Sequence, residues 1–247
     1  MNHFTGEILG TMLLILLGDG VVANVTLNKS KAQGAGWMVV VTGWALGVFV
    51  GAFTVASVSG AHLNPAVTLA MAITGKLPWA ETPVYIVGQM IGAFLGATLV
   101  CLTFLPHWAE TEDPVAKLGI FCTIPAIRRA GANLLAEIIG TFVLILGIFA
   151  IKGAVMQSNT PAAVPIDMGA LGCLPVAFLV WSIGLSLGGP TGYAINPARD
   201  FAPRLAHALL PIPGKGGSDW GYAWIPVVGP MIGAAIAAWF YMTVGPF

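Results

Sequence analysis

The sequence predicts an all-α membrane protein: six transmembrane helices plus two re-entrant half-helices, related as an inverted tandem repeat. Three observations carry this prediction. Of the 247 residues, 57% are hydrophobic and 8% charged, against about a quarter charged in soluble domains. Six apolar stretches approach the roughly 20 residues a helix needs to cross a bilayer. An Asn-Pro-Ala triplet occurs twice, at Asn64, Pro65 and Ala66 and again at Asn196, Pro197 and Ala198.

The elements follow in order. The first span, 4–27, has no basic leader and carries Glu7 near its start, so it is a helix and not a signal peptide. The second, 36–55, holds Gly43, Gly47 and Gly51, and the third, 83–105, holds Gly88, Gly92 and Gly96. Small residues four apart let helix backbones approach closely, either around a narrow pore or between subunits. Between these spans, 63–73 opens with Asn-Pro and is too short to cross alone. A polar stretch, 107–131, is expected to be a connecting loop. Spans 132–151 and 168–187 follow, then a second short segment opening with Asn-Pro, 196–210, and a last span, 222–244.

The halves repeat. "GEILGTMLLILLG" from Gly6 matches "AEIIGTFVLILGI" from Ala136, pairing Glu7 with Glu137; "HLNPAV" matches "AINPAR", pairing Asn64 with Asn196; and "GQMIGAFLGA" from Gly88 matches "GPMIGAAIAA" from Gly229. The matches keep their order, so the chain is a tandem duplication, with repeat one at about 1–106 and repeat two at about 132–247 of one transmembrane domain. Each half has three spans. Three is odd, so the second half enters the membrane from the opposite face, and the repeats are inverted about an axis in the membrane plane.

The triplets then have a physical reading. Asparagine is a favoured N-cap and proline suits the first helical position. Each Asn side-chain oxygen accepts from helix N–H groups and leaves its NH2 free to donate. Two half-helices dipping from opposite faces bring Asn64 and Asn196 together with the positive ends of two helix dipoles. Such a centre favours the oxygen of a neutral solute and opposes cations and protons. Non-helical backbone at membrane depth needs protein or a water-filled cavity to satisfy it, and a pore supplies that cavity. Arg199, three residues after Asn196, shares its helix face, and an intramembrane arginine faces a cavity or a partner.

On these motifs, with "SGAHLNPAVT" and "GYAINPARD" around the triplets and Glu7 paired with Glu137, the chain resembles the major intrinsic protein family, the aquaporins and aquaglyceroporins, over essentially its whole length. The resemblance implies the aquaporin fold, passive selective conduction, a homotetramer with one pore per subunit, and a multi-pass location in a bacterial plasma membrane with a cytoplasmic N-terminus. It also implies an outer selectivity filter. Counting from the motifs, that filter falls on Trp44, Gly184, Tyr193 and Arg199. Water-selective members typically place histidine where this chain has Gly184, and Asp200 after the arginine marks the glycerol-conducting branch, that of the bacterial glycerol uptake facilitators. Glycerol and other small neutral solutes, with water, are therefore the expected cargo. Tyr193 departs from the phenylalanine that glycerol facilitators often carry, which leaves water, dihydroxyacetone, urea and protonated lactic acid as alternatives.

The remaining polar residues are assigned supporting tasks. Glu7 and Glu137, by their symmetric placement, accept hydrogen bonds from the re-entrant loops, and Asp200 braces the second half-helix from behind. His62 lines the inner half of the pore or bridges helices, and His207 packs. Asp19 has no acidic counterpart in the second half; capping or widening an outer vestibule is the only expectation for it. Cys101, Cys122 and Cys173 are too scattered for a disulfide framework or metal site and are read as packing residues. No metal and no cofactor is expected. Ten basic and ten acidic side chains cancel, which points away from nucleic acid. The lipid bilayer is the general partner. A secondary transporter would need coupling-ion ligands or a substrate-binding charge cluster, and an enzyme would need a nucleophile with its base or a metal set; neither constellation stands out. Orientation is contested, because Lys29, Lys31, Lys117, Arg128, Arg129 and Lys215 fall outside when the N-terminus is inside, against the positive-inside rule.

Overall fold

The computed structural model describes residues 1–153, 155–156 and 164–245. Its helices are α1 (His3–Thr26), α2 (Trp37–Ser59), α3 (Pro65–Ile73), α4 (Thr82–Thr103), α5 (Leu105–Glu110), α6 (Pro114–Phe121), α7 (Ala130–Ala150), α8 (Leu174–Leu187), α9 (Pro197–Leu209) and α10 (Ile225–Val244). Six segments are long and apolar enough to cross a membrane: α1, α2, Trp79–Thr103, α7, Gly169–Leu187 and α10. The one departure from helix among the described elements is a two-residue antiparallel pairing of Val155–Met156 (β1) with Val164–Pro165 (β2).

The packing repeats as the sequence does. Helix α1 lies against α2 and α4, and α7 against α8 and α10; α9 packs on α4, and α3 on α10. Exchanging the halves maps this set onto itself, and α2 meets α8 where the two repeats join. The small-residue stripes serve this intrachain packing. A methyl group at Gly51 would sit 2.6 Å from the Gly10 carbonyl oxygen, and one at Gly96 2.6 Å from the Met12 carbonyl oxygen. Both rows press α2 and α4 onto the backbone of α1, closer than any other residue allows.

The stretch 107–131 is not a simple loop. Asp113 caps α6, its carboxylate accepting from the Val115 N–H at 2.8 Å, with Pro114 at the first position. Lys117, Leu118, Ile120 and Phe121 of α6 are buried, and α6 packs against α1 and α9. Two short helices leave too few turns for an apolar period to emerge from sequence.

Candidate functional site

The site is assembled by two re-entrant segments whose backbones are locally forced. Ala61 and Leu63 in the first, and Tyr193 and Ile195 in the second, hold φ of 53°, 51°, 40° and 43°. Left-handed conformations cost a non-glycine residue about 1–3 kcal/mol each, so something must over-determine them. The glutamates do this. Glu7, fully buried in α1, accepts from the Ser59 hydroxyl at 2.6 Å, the His62 and Leu63 N–H groups at 3.1 and 2.7 Å, and Gln89 at 2.7 Å. Glu137 in α7 accepts from Thr191 at 2.6 Å and from the Ala194 and Ile195 N–H groups at 3.0 and 2.9 Å. Three of these contacts are the same on both sides; Gln89, which stands opposite Pro230 in the repeat, adds a fourth to the first.

Each segment ends in an asparagine N-cap. The Asn64 Oδ1 accepts from the Ala66 N–H at 2.8 Å, and the Asn196 Oδ1 from the Ala198 and Arg199 N–H groups at 3.0 and 3.3 Å. Their NH2 groups are not wholly free, contrary to the sequence expectation. Asn64 Nδ2 donates to the Ile195 carbonyl and Asn196 Nδ2 to the Leu63 carbonyl, both at 2.8 Å. An amide NH2 carries two donors. One of each pair stitches the half-helices to one another, and one remains. Pro65, Ala66, Pro197 and Ala198 are buried in the first turns of α3 and α9.

One cavity of about 310 Å³ passes both asparagines, with Trp44, Tyr193 and Arg199 among its walls in one direction and His62, Val176 and Cys173 in the other. The Arg199 guanidinium lies over the Trp44 ring, 4.1 Å from its centroid, within cation–π range. Gly184 does not simply leave a gap. A methyl group there would meet Tyr193 Cζ at 2.9 Å and Oη at 3.0 Å, so the tyrosine ring occupies the space that the glycine releases. Trp37, a residue the motif count passed over, donates from Nε1 to the Gly184 carbonyl at 3.1 Å and sets its edge on the Tyr193 ring.

Asp200 is fully buried behind α9 and braces more than its own helix. Its Oδ2 accepts from the Thr123 N–H and hydroxyl at 2.8 and 2.6 Å, and Arg204 pairs with it at 2.8 Å while also donating to the carbonyls of Ser218 and Thr123. The i, i+4 spacing of Asp200 and Arg204 was the available signal for this pair. His62 contacts the Thr68 hydroxyl at 3.2 Å and lies 4.6 Å from the Tyr85 ring, lining the cavity as well. His207 is buried against Ser218 and Phe121. Cys101 and Cys122 are packed; Cys173 departs from that reading, since it is partly exposed and lines the cavity. Among the described residues no cluster of His, Cys, Asp or Glu could hold a metal ion.

The model of the family described as Major intrinsic protein matches residues 1–241. The chain is 58% identical over 241 residues to a protein of Thermotoga maritima named probable glycerol uptake facilitator protein, with 98% of each chain covered. It is 56% identical over 241 residues to the glycerol uptake facilitator protein of Bacillus subtilis, covering 98% of this chain and 84% of that one. Among solved structures it resembles the aquaglyceroporin from Plasmodium falciparum, with a TM-score of 0.83 at 29% identity over 98% of this chain and 95% of that one.

Proposed function

The chain belongs to the major intrinsic protein family, and from that premise we propose that it is a passive channel carrying glycerol and other small neutral solutes, with water, across a bacterial plasma membrane. It is a multi-pass membrane protein and a facilitator, not an enzyme. The observation that carries the reading is the pairing of Arg199 with Trp44 at 4.1 Å, on the wall of a cavity also lined by a Tyr193 seated against Gly184. A polyol has an apolar C–H edge and a hydroxyl edge. Trp44 and Tyr193 receive the first, and Arg199 donates to the second. Trp44, Gly184, Tyr193 and Arg199 thus form the selectivity filter in this reading.

Past the filter, Asn64 and Asn196 each offer one remaining N–H to the passing oxygen, and the N-termini of α3 and α9 set a positive potential there that opposes cations and protons. The stitched carboxamides support this role, because a donor held by its own second bond is fixed in direction. The outward row Val84, Val87, Ile91, Leu95, Leu99 and Leu102 on α4 supplies apolar surface to lipid or to neighbouring copies in a homotetramer, whose mass after detergent extraction is measurable by light scattering.

The test is stopped-flow swelling of proteoliposomes in glycerol, in a bulkier polyol and with empty vesicles as reference. Fast, non-saturating glycerol entry without an ion gradient supports the channel. Saturable or ion-coupled entry would replace it with a transporter, and water flux alone would mean that Tyr193 closes the filter to polyols.

A further inference from the structure

Asp19 is the polar residue that the filter reading leaves without a task. It lies in α1, fully buried, with one carboxylate oxygen 3.6 Å from Arg199 Nη1. This is ion-pair distance but longer than a hydrogen bond. Among the described residues neither oxygen of Asp19 accepts a hydrogen bond, and Arg199 Nη1 donates none. Each group is therefore the other's available counter-charge. Glu7, Glu137 and Asp200, the other buried acids near the re-entrant segments, are by contrast held by the hydrogen bonds already described.

The position is built on α1 by two consecutive residues. A side chain at Gly18 would overlap the Trp44 indole, so the glycine admits the ring on which Arg199 stacks, and Asp19 then faces the guanidinium from the same helix. The repeat gives a second, independent indication. The register that pairs Glu7 with Glu137 sets Phe149 opposite Asp19, and the register that pairs Asn64 with Asn196 sets Val67 opposite Arg199. Both charges break the duplication, and they break it at one place in space.

We propose that Asp19 is a specificity-determining positioning residue of the filter: its buried carboxylate anchors and neutralises the Arg199 guanidinium. An unneutralised arginine at a constriction attracts small anions, as basic rings do in anion-selective pores. With Asp19 behind it, the same arginine donates hydrogen bonds to neutral solutes without concentrating anions. The proposal deepens the channel reading and rests on it.

The experiment is glycerol swelling of proteoliposomes with and without nitrate, using the full chain and Asp19→Asn. Nitrate leaves the unaltered protein unaffected and slows glycerol entry through Asp19→Asn by about fivefold or more, the scale on which directly paired residues couple. Arg199→Val separates the two readings. If Arg199→Val leaves discrimination between glycerol and a bulkier polyol unchanged, the filter assignment itself is wrong. If that discrimination relaxes but nitrate fails to distinguish Asp19→Asn from the unaltered chain, the role of Asp19 alone is overturned. Should Asp19→Asn yield no water-permeable channel, Arg199→Val with Asp19 intact is compared with the Asp19→Asn/Arg199→Val double variant. The stranded carboxylate makes the single variant leak potassium faster, and equal leaks overturn the proposal.

Discussion

At the scale of single residues, the proposed filter rests on mutual occupation. Gly184 provides space, and Tyr193 takes it, with Trp37 fixing both through the Gly184 carbonyl and the tyrosine edge. This changes what a histidine at 184 would do. It would have to displace the Tyr193 ring toward the cavity, and that residue already sits at φ 40° on a segment held by Glu137. Gly184→His is expected to lower glycerol entry by about tenfold or more, the scale of one misfit in a sized pocket, with a smaller loss of water flux in the same stopped-flow assay. Tyr193→Phe serves as the control, because the Tyr193 hydroxyl has no hydrogen-bond partner among the described residues. Its glycerol flux should equal or exceed that of the unaltered chain. A comparable collapse in both variants would show a general loss of structure in place of a sized filter.

At the scale of elements, half-helix α9 is held from two sides. Glu137 fixes the segment leading into it, and Asp200 with Arg204 ties it to Thr123 and to the carbonyl of Ser218. Removing one partner of a buried pair leaves the other charge uncompensated, at a cost of about 3–5 kcal/mol. Asp200→Asn should therefore lower the thermal unfolding midpoint in detergent markedly, while a replacement of the exposed Glu112 leaves it unchanged; equal midpoints would mean that the Asp200 network carries no stability. The spans and half-helices were legible in the sequence because apolar length and an Asn-Pro start are local signals. Helices α5 and α6 were not, since each is too short to show a period. Trp37 and the task of Asp19 were hidden for another reason. Each acts through a partner distant in sequence, and the repeat marks where symmetry fails without saying what fills the place. Asp19 itself was visible as a break in the duplication, but Arg199 becomes its partner only once the fold brings their side chains together.

At the scale of the whole molecule, duplication built a symmetric frame and side chains made it asymmetric. The register that pairs the two asparagines sets Val176 opposite Trp44, Ala52 opposite Gly184, Ala61 opposite Tyr193 and Val67 opposite Arg199. All four counterparts line the same cavity, toward the opposite mouth. They are small and apolar, so the frame offers matching positions at both ends and only one end is furnished with an aromatic corner and a donor. Of the cations at the furnished end, Arg128 pairs with Asp219, Lys29 with Glu110, and Lys215 donates to the carbonyls that end α9. If constriction follows from side chains and not from the backbone path, placing the outer aromatic at the inner position should create a second one. Val176→Trp copies Trp44 onto α8, whose first turns line the inner mouth. Glycerol entry should fall by up to about tenfold, and water flux by less, because a lone indole narrows the passage without supplying hydroxyl donors. The same stopped-flow assay decides it. Unchanged glycerol flux would mean that the inner mouth is too wide for one ring to matter, and that the difference between the two ends of the pore lies in the backbone.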